Sequence, residues 1–501
     1  MKENYKDIAS RKWQQDGLEN LETFYRDDER DVFFVHACPA AGKTRFSLAA
    51  IKMAHETKSV DLTVVVVPSE TLKNQWKDDA RGYGIRLEHF TSAALQDTVL
   101  DGLGEVTGIV TTYAGLLANV AVYDHWCKDR KVLLVADEIH HCAETLSWGD
   151  GLKAAFYDAH KRIILSGTPF RSRETEVMPF IMENDGAGSQ VVIKPDASLT
   201  YREAVDQEIC RVITFPRVNA NITFEDDEGH WSSDLDSPEL KDNEAKRKRL
   251  YRAALDPERC GFSAFQLEQA YDKLQEIREN EQSDAAMLVV AKDINHATQL
   301  QLILQGITGK KPPLVTSEEK SSQQVIERFK NSKAPVIVSV MMFAEGVDAP
   351  RIRVISYMST VKTEMFFRQV VGRAVRMQNE AHITGKQWSY MFIPKMPDFE
   401  RMARDIEQEI EYIVSESKAT RGDSTYQQGG NIATKHFTIY GDSNLRRDGY
   451  ISMGIDVTEQ ERVRALELSQ HDPVLARLGA EYVALCLRVG KEHPDLNTVF
   501  R

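Results

Sequence analysis

The chain has 501 residues, more than one hydrophobic core supports, so two or three domains are expected. Its 63 basic and 76 acidic residues give a net charge of −13, so any polyanion site must be a local basic groove on a negative protein. Because the six cysteines form no C-x-x-C pair and no apolar run reaches the length of a membrane span, we expect a cytoplasmic protein without disulfide framework, zinc site or membrane segment.

The first 31 residues are polar, and their pattern predicts helix. They contain R-K-W-Q, which ends at Gln14, just ahead of the next motif. A glutamine amide can donate to and accept from an adenine edge at once, so Gln14 is a candidate base reader, with Gln15 as the alternative. A solvated helix with one buried tryptophan explains the same residues equally well.

The most informative stretch is V-F-F-V-H-A-C-P-A-A-G-K-T-R-F, residues 32–46. An apolar strand, a turn of small residues and Gly42 at the start of an amphipathic helix are typical of a phosphate-binding loop, whose N–H groups face one concavity. Lys43 can neutralise β- and γ-phosphate oxygens, and Thr44 can hold Mg²⁺. The usual first glycine is Ala37 here, a harmless change only if that position does not need a positive φ.

Four further apolar runs follow, with helical segments between them. They are Thr63–Pro68, Ile109–Tyr113, Lys131–Glu138 and Arg162–Pro169. This alternation predicts a doubly wound parallel sheet, and ligands bind at the carboxyl ends of the strands in such a sheet. The polar motifs all occur at those ends.

The third of these runs ends in the acidic pair of D-E-I-H-H. A carboxylate beside a phosphate loop can complete Mg²⁺ coordination, which we assign to Asp137, and its neighbour Glu138 can orient or deprotonate the attacking water. His140, His141 and Cys142 do not predict a metal site, because side chains of adjacent residues diverge too strongly for tetrahedral coordination.

Residues 183–282 have weaker periodicity. The acidic stretch at 225–239 is typical of an exposed loop or short hairpin, and the K-R-K-R run at 246–249 begins a helical stretch to residue 280. The basic run could touch a nucleic-acid backbone, but a solvated helix face is the better interpretation.

A second α/β lobe is predicted after this region, without a phosphate loop of its own. Its apolar runs are 286–291, 313–316, 335–340, 353–358 and 388–394. It carries F-A-E-G-V-D-A-P and F-F-R-Q-V-V-G-R-A-V-R. In the second motif the spacing of Gln369, Arg373 and Arg376 predicts one shared helix face, which suits an anionic partner.

Eight motifs occur in a fixed order: R-K-W-Q, A-C-P-A-A-G-K-T, V-V-P-S-E-T-L, T-T-Y, D-E-I-H, S-G-T-P-F-R, E-G-V-D and Q-V-V-G-R-A-V-R. Together they resemble the motifs of superfamily 2 helicases and translocases, in the branch of type III restriction-enzyme motor subunits and bacterial DEAD/DEAH-like helicases. The resemblance extends over about residues 11–397. It implies two RecA-like doubly wound parallel-sheet lobes at 1–182 and 283–397, an inter-lobe linker and helical insertion at 183–282, and a mainly helical region at 398–501.

The resemblance also implies residue roles. ATP would contact Gln14, Ala40, Ala41, Gly42, Lys43, Thr44, Gly346 and Asp348, and Mg²⁺ would bind Thr44 and Asp137. Hydrolysis would use Lys43, Asp137, Glu138, Arg373 and Arg376. Coupling of nucleotide state to strand binding would use His140, Ser166, Thr168 and Gln369. The nucleic-acid backbone would meet Pro68, Thr111, Thr112 and Arg171.

The function implied is a nucleic-acid-dependent ATPase of the helicase or translocase type, with DNA favoured over RNA by the wording of the motifs. Two alternatives stay open. One is an RNA helicase. The other is an ATP-gated recruitment subunit, whose region after Pro397 would hold a nuclease or methyltransferase effector in a restriction or defence system.

Overall fold

The computed structural model describes residues 5–89, 107–144, 146–167, 178–184, 190–226, 229–237, 243–258, 260–316, 322–340, 349–378, 383, 387–420 and 431–440. The chain divides into two compact units. The first contains residues 1–210 and 363–372, and the second contains residues 211–362 and 373–501. Across the described ranges, no helix has the length and apolar composition that a bilayer crossing requires.

The helices are, in chain order, α1 (Tyr5–Ile8), α2 (Lys12–Arg26), α3 (Lys43–Glu56), α4 (Glu70–Gly82), α5 (Tyr113–Leu117), α6 (Val120–Asp129), α7 (His141–Glu144), α8 (Leu146–Phe156), α9 (Tyr201–Asp206), α10 (Glu244–Ala254), α11 (Phe262–Asn280), α12 (Ile294–Thr308), α13 (Ser322–Lys330), α14 (Glu364–Val371) and α15 (Pro397–Thr420). The strands are β1 (Val32–Ala37), β2 (Leu62–Val67), β3 (Leu87–Glu88), β4 (Gly108–Thr112), β5 (Val132–Ala136), β6 (Lys161–Ser166), β7 (Met182–Asn184), β8 (Gln190–Val192), β9 (Ala197–Leu199), β10 (Ile213–Thr214), β11 (Arg217–Asp226), β12 (Gly229–Asp234), β13 (Ala286–Ala291), β14 (Leu314–Val315), β15 (Val336–Val340), β16 (Ile352–Met358), β17 (Ser389–Pro394) and β18 (Asn431–Tyr440).

The first unit is built on a parallel sheet with strand order β3-β4-β2-β5-β6-β1-β9. All six residues of β2 are buried, as a β-branched run covered on both faces by helices requires. The carboxyl ends of β1, β2, β4, β5 and β6 lie along one edge, because the strands run parallel and in register. This edge brings together the motifs that follow those strands.

The second unit has a sheet with strand order β12-β11-β17-β16-β13-β15-β14, to which β10 adds beside β17 and β18 beside β11. Its pairs are parallel except for the β11–β12 hairpin. The prediction of two α/β units with parallel sheets is therefore confirmed. The region 183–282 differs from a simple helical insertion, since its β11–β12 hairpin joins this sheet. The hairpin includes part of the acidic stretch at 225–239, for which the sequence predicts a loop or short hairpin, but it begins earlier in the chain, at Arg217.

Candidate nucleotide site

The loop between β1 and α3 has the backbone of a phosphate-binding loop. Gly42 has a left-handed backbone, with φ of 88°, directly before the first residue of α3. Ala37, which replaces the usual first glycine, is the last residue of strand β1 and is fully buried. Because its backbone is extended and not left-handed, an alanine there causes no backbone strain. The strain lies instead at Ala40, whose φ is 69° and which costs roughly 1–2 kcal/mol for a residue with a side chain.

Three side chains of the R-K-W-Q segment donate hydrogen bonds to backbone carbonyls of this loop. The Arg11 guanidinium donates to the carbonyl of Ala40 at 2.9 Å, the Trp13 indole donates to that of Ala41 at 3.1 Å, and the Gln14 amide donates to that of Gly42 at 3.0 Å. These three successive carbonyls, which would repel a phosphate, are thereby taken up by protein donors.

Gln14 has both ends of its amide bonded within the protein. Its oxygen accepts from the backbone N–H of Arg11 at 3.1 Å, while its nitrogen donates to Gly42, and the side chain is 1% exposed. Contact with adenine would require exchange of one of these bonds. Its predicted role as a base reader therefore stays a prediction.

The ammonium group of Lys43 lies among oxygen acceptors at the mouth of the loop. It donates to the carbonyl of Ala37 at 3.1 Å and forms an ion pair of 3.1 Å with Glu138. The other Glu138 oxygen accepts from the N–H of Gly167 at 3.2 Å. Burial by itself would raise the pKa of Glu138, but the charge of Lys43 and the nearby His140 outweigh burial and lower it.

Glu138 also has a strained backbone. Its φ is 50°, a left-handed conformation that is uncommon for residues other than glycine, and such strain persists only where the surroundings enforce it. The strain turns the chain sharply between Asp137 and Ile139, whose N–H groups bond to the carbonyls of Val66 and Leu165, respectively. The carboxylate of Glu138 is thereby directed toward Lys43.

Asp137 is buried beside this pair and is held from two other elements. The indole N–H of Trp76 in α4 donates to its Oδ2 at 3.0 Å, and the hydroxyl of Tyr113 in α5 donates to its backbone carbonyl at 2.8 Å. Burial and the adjacent Glu138 carboxylate raise the pKa of Asp137, although Lys43 opposes them.

These residues fit Mg²⁺. The Asp137 carboxylate is a hard oxygen ligand at the carboxyl edge of the sheet, and Thr44, the second residue of α3 after Lys43, would bring a hydroxyl oxygen at the start of that helix. Among the described residues no three histidine, cysteine or acidic side chains form a metal cluster. Nucleotide-bound Mg²⁺ does not need one, because one or two protein ligands and phosphate oxygens complete its shell.

The predicted coupling residues His140, Ser166 and Gln369 lie together in the first unit. His140 Nδ1 is 3.2 Å from the Ser166 hydroxyl, and the Gln369 amide is 3.2 Å from His140 Nε2. Burial lowers the pKa of His140 to about 3, so its ring is neutral at physiological pH. A neutral ring that donates from Nδ1 and accepts at Nε2 satisfies both contacts.

Three of the residues predicted to contact the nucleic-acid backbone lie at the carboxyl ends of strands in the first sheet. Pro68 comes directly after β2 and is half-buried, and Thr111 and Thr112 end β4. The hydroxyl of Thr112 caps α5 by accepting from Gly115 N–H at 3.0 Å, so it has a structural task of its own. The remaining predicted residues Thr168, Arg171, Gly346 and Asp348 lie outside the described residues.

The predicted shared helix face of Gln369, Arg373 and Arg376 is wrong. Helix α14 ends at Val371, so only Gln369 is helical. Gly372 caps the helix, and a Cβ on it would come within 2.3 Å of Pro39 in the phosphate loop, so only glycine fits there. The spacing suggested a continuing helix because the contacts that end it are distant in sequence.

Arg211 holds the segment that carries these arginines in the second unit. Its side chain, 1% exposed, donates to the carbonyls of Pro350, Ile352 and Ala374 at 2.8, 3.2 and 3.3 Å. The Ser389 hydroxyl also donates to the carbonyl of Ala374, at 2.7 Å. The Gln387 amide oxygen accepts from Arg211 as well, at 3.2 Å. Nothing in the local sequence indicated this role of Arg211, since its acceptors come from three distant segments.

Replacing Arg211 with methionine is expected to lower the free energy of unfolding by about 3 kcal/mol, because buried carbonyl oxygens lose their donor. Urea unfolding would measure the loss. The control is Arg404→Met, which removes an exposed arginine paired with Glu400 on one helix and should cost under about 0.5 kcal/mol. Equal free energies of unfolding in the two variants would contradict the structural role given to Arg211.

Two protein families match the chain in succession. Residues 7–171 match the family described as type III restriction enzyme, res subunit, and residues 269–378 match the helicase conserved C-terminal domain. An uncharacterized protein of Mycobacterium tuberculosis strain H37Rv is 29% identical over 449 residues, covering 89% of this chain and 70% of that protein. An uncharacterized protein of Mycobacterium leprae is 29% identical over 420 residues, covering 82% of this chain and 68% of its own length.

Two solved structures share the fold. The ATP-dependent type ISP restriction-modification enzyme LlaBIII, solved bound to DNA, has a TM-score of 0.53 at 13% identity, covering 92% of this chain. The match covers 34% of LlaBIII, so this chain spans about a third of its length. A putative HsdR subunit of a type I restriction enzyme from Vibrio vulnificus YJ016 has a TM-score of 0.52 at 15% identity, covering 85% of this chain and 68% of that one. The two family models match in the order of the motifs, and the fold is shared with subunits of restriction enzymes, so the comparisons support the resemblance of this chain to superfamily 2 helicases of the restriction-enzyme motor type.

Proposed function

We propose that this helicase-like chain is an ATPase stimulated by nucleic acid, and that it acts on DNA as a helicase or translocase. The observation that carries the proposal is the ion pair at the phosphate loop between the buried Lys43 and the half-buried Glu138, with the buried Asp137 carboxylate beside it. Perturbed charges gathered in one site, at the carboxyl edge of a parallel sheet, are typical of catalysis rather than of packing.

The ion pair supports a sequence of exchanges when ATP binds. The triphosphate offers Lys43 stronger acceptors than one carboxylate, so the ammonium would turn from Glu138 to the β- and γ-oxygens. Glu138, released from its counter-ion, could then orient water and accept its proton. Mg²⁺, held by Thr44 and Asp137, would supply charge neutralisation at the phosphates. In this scheme Lys43 would bind phosphate, Glu138 would activate water, and Thr44 and Asp137 would hold the metal.

Arg373 and Arg376 are proposed to supply further positive charge to the transferred phosphoryl group. Arg373 is the next residue in the chain after Gly372, which packs on Pro39 of the phosphate loop in the first unit. A cationic finger contributes on the order of 10³ to 10⁵ in rate. Hydrolysis would therefore respond to any motion of the second unit, which would link turnover to strand binding.

DNA is the proposed substrate because LlaBIII, which shares the fold, was solved bound to DNA. ATP turnover should be measured side by side with single-stranded DNA, duplex DNA and RNA at several stated salt concentrations. We expect DNA to raise turnover by about tenfold or more, because strand binding would bring the charges of Arg373 and Arg376 to the phosphates. Higher salt should weaken this stimulation. Lys43→Ala provides the background rate. Greater stimulation by RNA would favour an RNA helicase, and no stimulation by any strand would contradict the proposal.

A further inference from the structure

The Asp137 carboxyl group and backbone are tied to two aromatic side chains that have no part in the exchanges described above. Trp76 is 1% exposed and its indole N–H reaches Oδ2 of Asp137 at 3.0 Å, while Tyr113 is fully buried and its hydroxyl reaches the Asp137 carbonyl at 2.8 Å. Trp76 restrains one carboxylate oxygen and Tyr113 restrains the backbone that carries the side chain, so together they limit the directions in which the other oxygen, Oδ1, can point.

The two aromatics come from the elements that follow the predicted strand-contact residues. Trp76 lies in α4, which begins two residues after Pro68 and is capped by the Ser69 hydroxyl through Leu72 N–H at 3.4 Å. Tyr113 is the first residue of α5 and follows Thr112 directly. The two predicted nucleic-acid segments at Pro68 and at Thr111–Thr112 are therefore each followed by a helix whose aromatic side chain makes one hydrogen bond to Asp137.

Buried indole and phenol groups usually find an acceptor, so each bond alone could be a matter of packing. Packing alone does not explain why both hydrogen bonds are made to the same residue, Asp137. In addition, the indole N–H of Trp76, its only donor, bonds to a carboxylate oxygen rather than to a backbone carbonyl. Outer partners of this kind orient metal ligands, and their loss typically weakens metal binding or activity by about 10- to 100-fold.

We propose that Trp76 and Tyr113 are positioning residues that connect the strand-contact segments at Pro68 and Thr111–Thr112 to the Mg²⁺ ligand Asp137. Nucleic acid that displaces α4 or α5 would reorient the carboxylate through these bonds. The path is separate from the one through His140, Ser166 and Gln369. The inference rests on the proposed ATPase function and names a route by which strand binding would regulate it.

The test uses Trp76→Phe and Tyr113→Phe in the full chain. Trp126→Phe is the matched control for the first, since Trp126 is also buried in the first unit, where it packs against Tyr123. Tyr25→Phe is the control for the second, because the Tyr25 hydroxyl likewise donates to a buried backbone carbonyl, that of Ala50, at 3.2 Å. Melting temperature identifies any variant that fails to fold.

Mg²⁺ titration of fluorescent-ATP binding is the first measurement. Trp76→Phe should raise the half-saturating Mg²⁺ concentration by about tenfold or more, with binding of nucleotide at saturating Mg²⁺ retained. The second measurement is the ratio of DNA-stimulated to basal turnover, which should fall in both variants and in neither control. Tryptophan emission of the unaltered chain should change when Mg²⁺ is added to the ATP-bound protein, and this change should be smaller in Trp76→Phe but kept in Trp126→Phe.

Two results separate this inference from the proposed function. If the unaltered chain binds Mg²⁺-ATP and responds to DNA but both variants match their controls in Mg²⁺ dependence and stimulation ratio, the inference is overturned alone. If the unaltered chain itself shows neither Mg²⁺-ATP binding nor a response to nucleic acid, the proposed function is overturned and this inference with it.

Discussion

Replacing Arg373 with alanine is expected to lower the turnover number for ATP by on the order of 10³ or more, while the dissociation constant for ATP stays within about threefold. The guanidinium is proposed to act on charge that develops during phosphoryl transfer, so its loss costs the transition state more than the bound substrate. Steady-state turnover and equilibrium nucleotide binding on the same preparation would measure the two effects.

Two further variants sharpen the test. Arg373→Lys keeps the charge but loses the planar fork of donors, so its turnover should fall between those of the native chain and the alanine variant. Arg404→Ala removes an arginine that is exposed on α15 and pairs with Glu400, and it should leave both measurements unchanged. Turnover in Arg373→Ala equal to that of Arg404→Ala would rule out the finger assignment.

The second large effect is expected for Glu138→Gln. The amide keeps the size of the side chain but cannot take a proton from water, so turnover should fall by about 10²- to 10⁴-fold. ATP affinity should be retained or should tighten, because Lys43 no longer has to leave a carboxylate at 3.1 Å to meet the phosphates. The variant should therefore accumulate with ATP bound.

Rapid-quench measurement of bound nucleotide would distinguish ATP from ADP in this variant. Asp124→Asn is the matched control, since Asp124 lies on α6 and pairs with the neighbouring Lys128 at 2.7 Å. It should hydrolyse ATP at the native rate. Bound ADP in Glu138→Gln at native rates would show that another group activates the water.

The strand pattern predicted the fold well because buried parallel strands leave a direct mark in the sequence. Residues 63–67 are all β-branched, and β2 is buried at every position. The order of motifs after such strands also placed Lys43, Asp137 and Glu138 together, since parallel strands end at one edge.

Features set by distant contacts could not be predicted in this way. The bond from Trp76 to Asp137 joins residues 61 positions apart, and no local pattern in the sequence indicates it. The end of α14 at Val371 depends on a glycine that packs on Pro39. The left-handed backbone at Ala40 could not be predicted because alanine rarely adopts a positive φ, and the loop contacts that impose it are distant in sequence.

The central claim is that the loop around Lys43 binds the triphosphate of ATP, and equilibrium binding of a fluorescent ATP analogue tests it most directly. Removing one partner of a buried charge pair costs roughly 2–5 kcal/mol, so Lys43→Ala should weaken binding by about 30-fold or more. Arg404→Ala should bind as the native chain does. Saturable binding of equal affinity in the native chain and in Lys43→Ala would contradict the account.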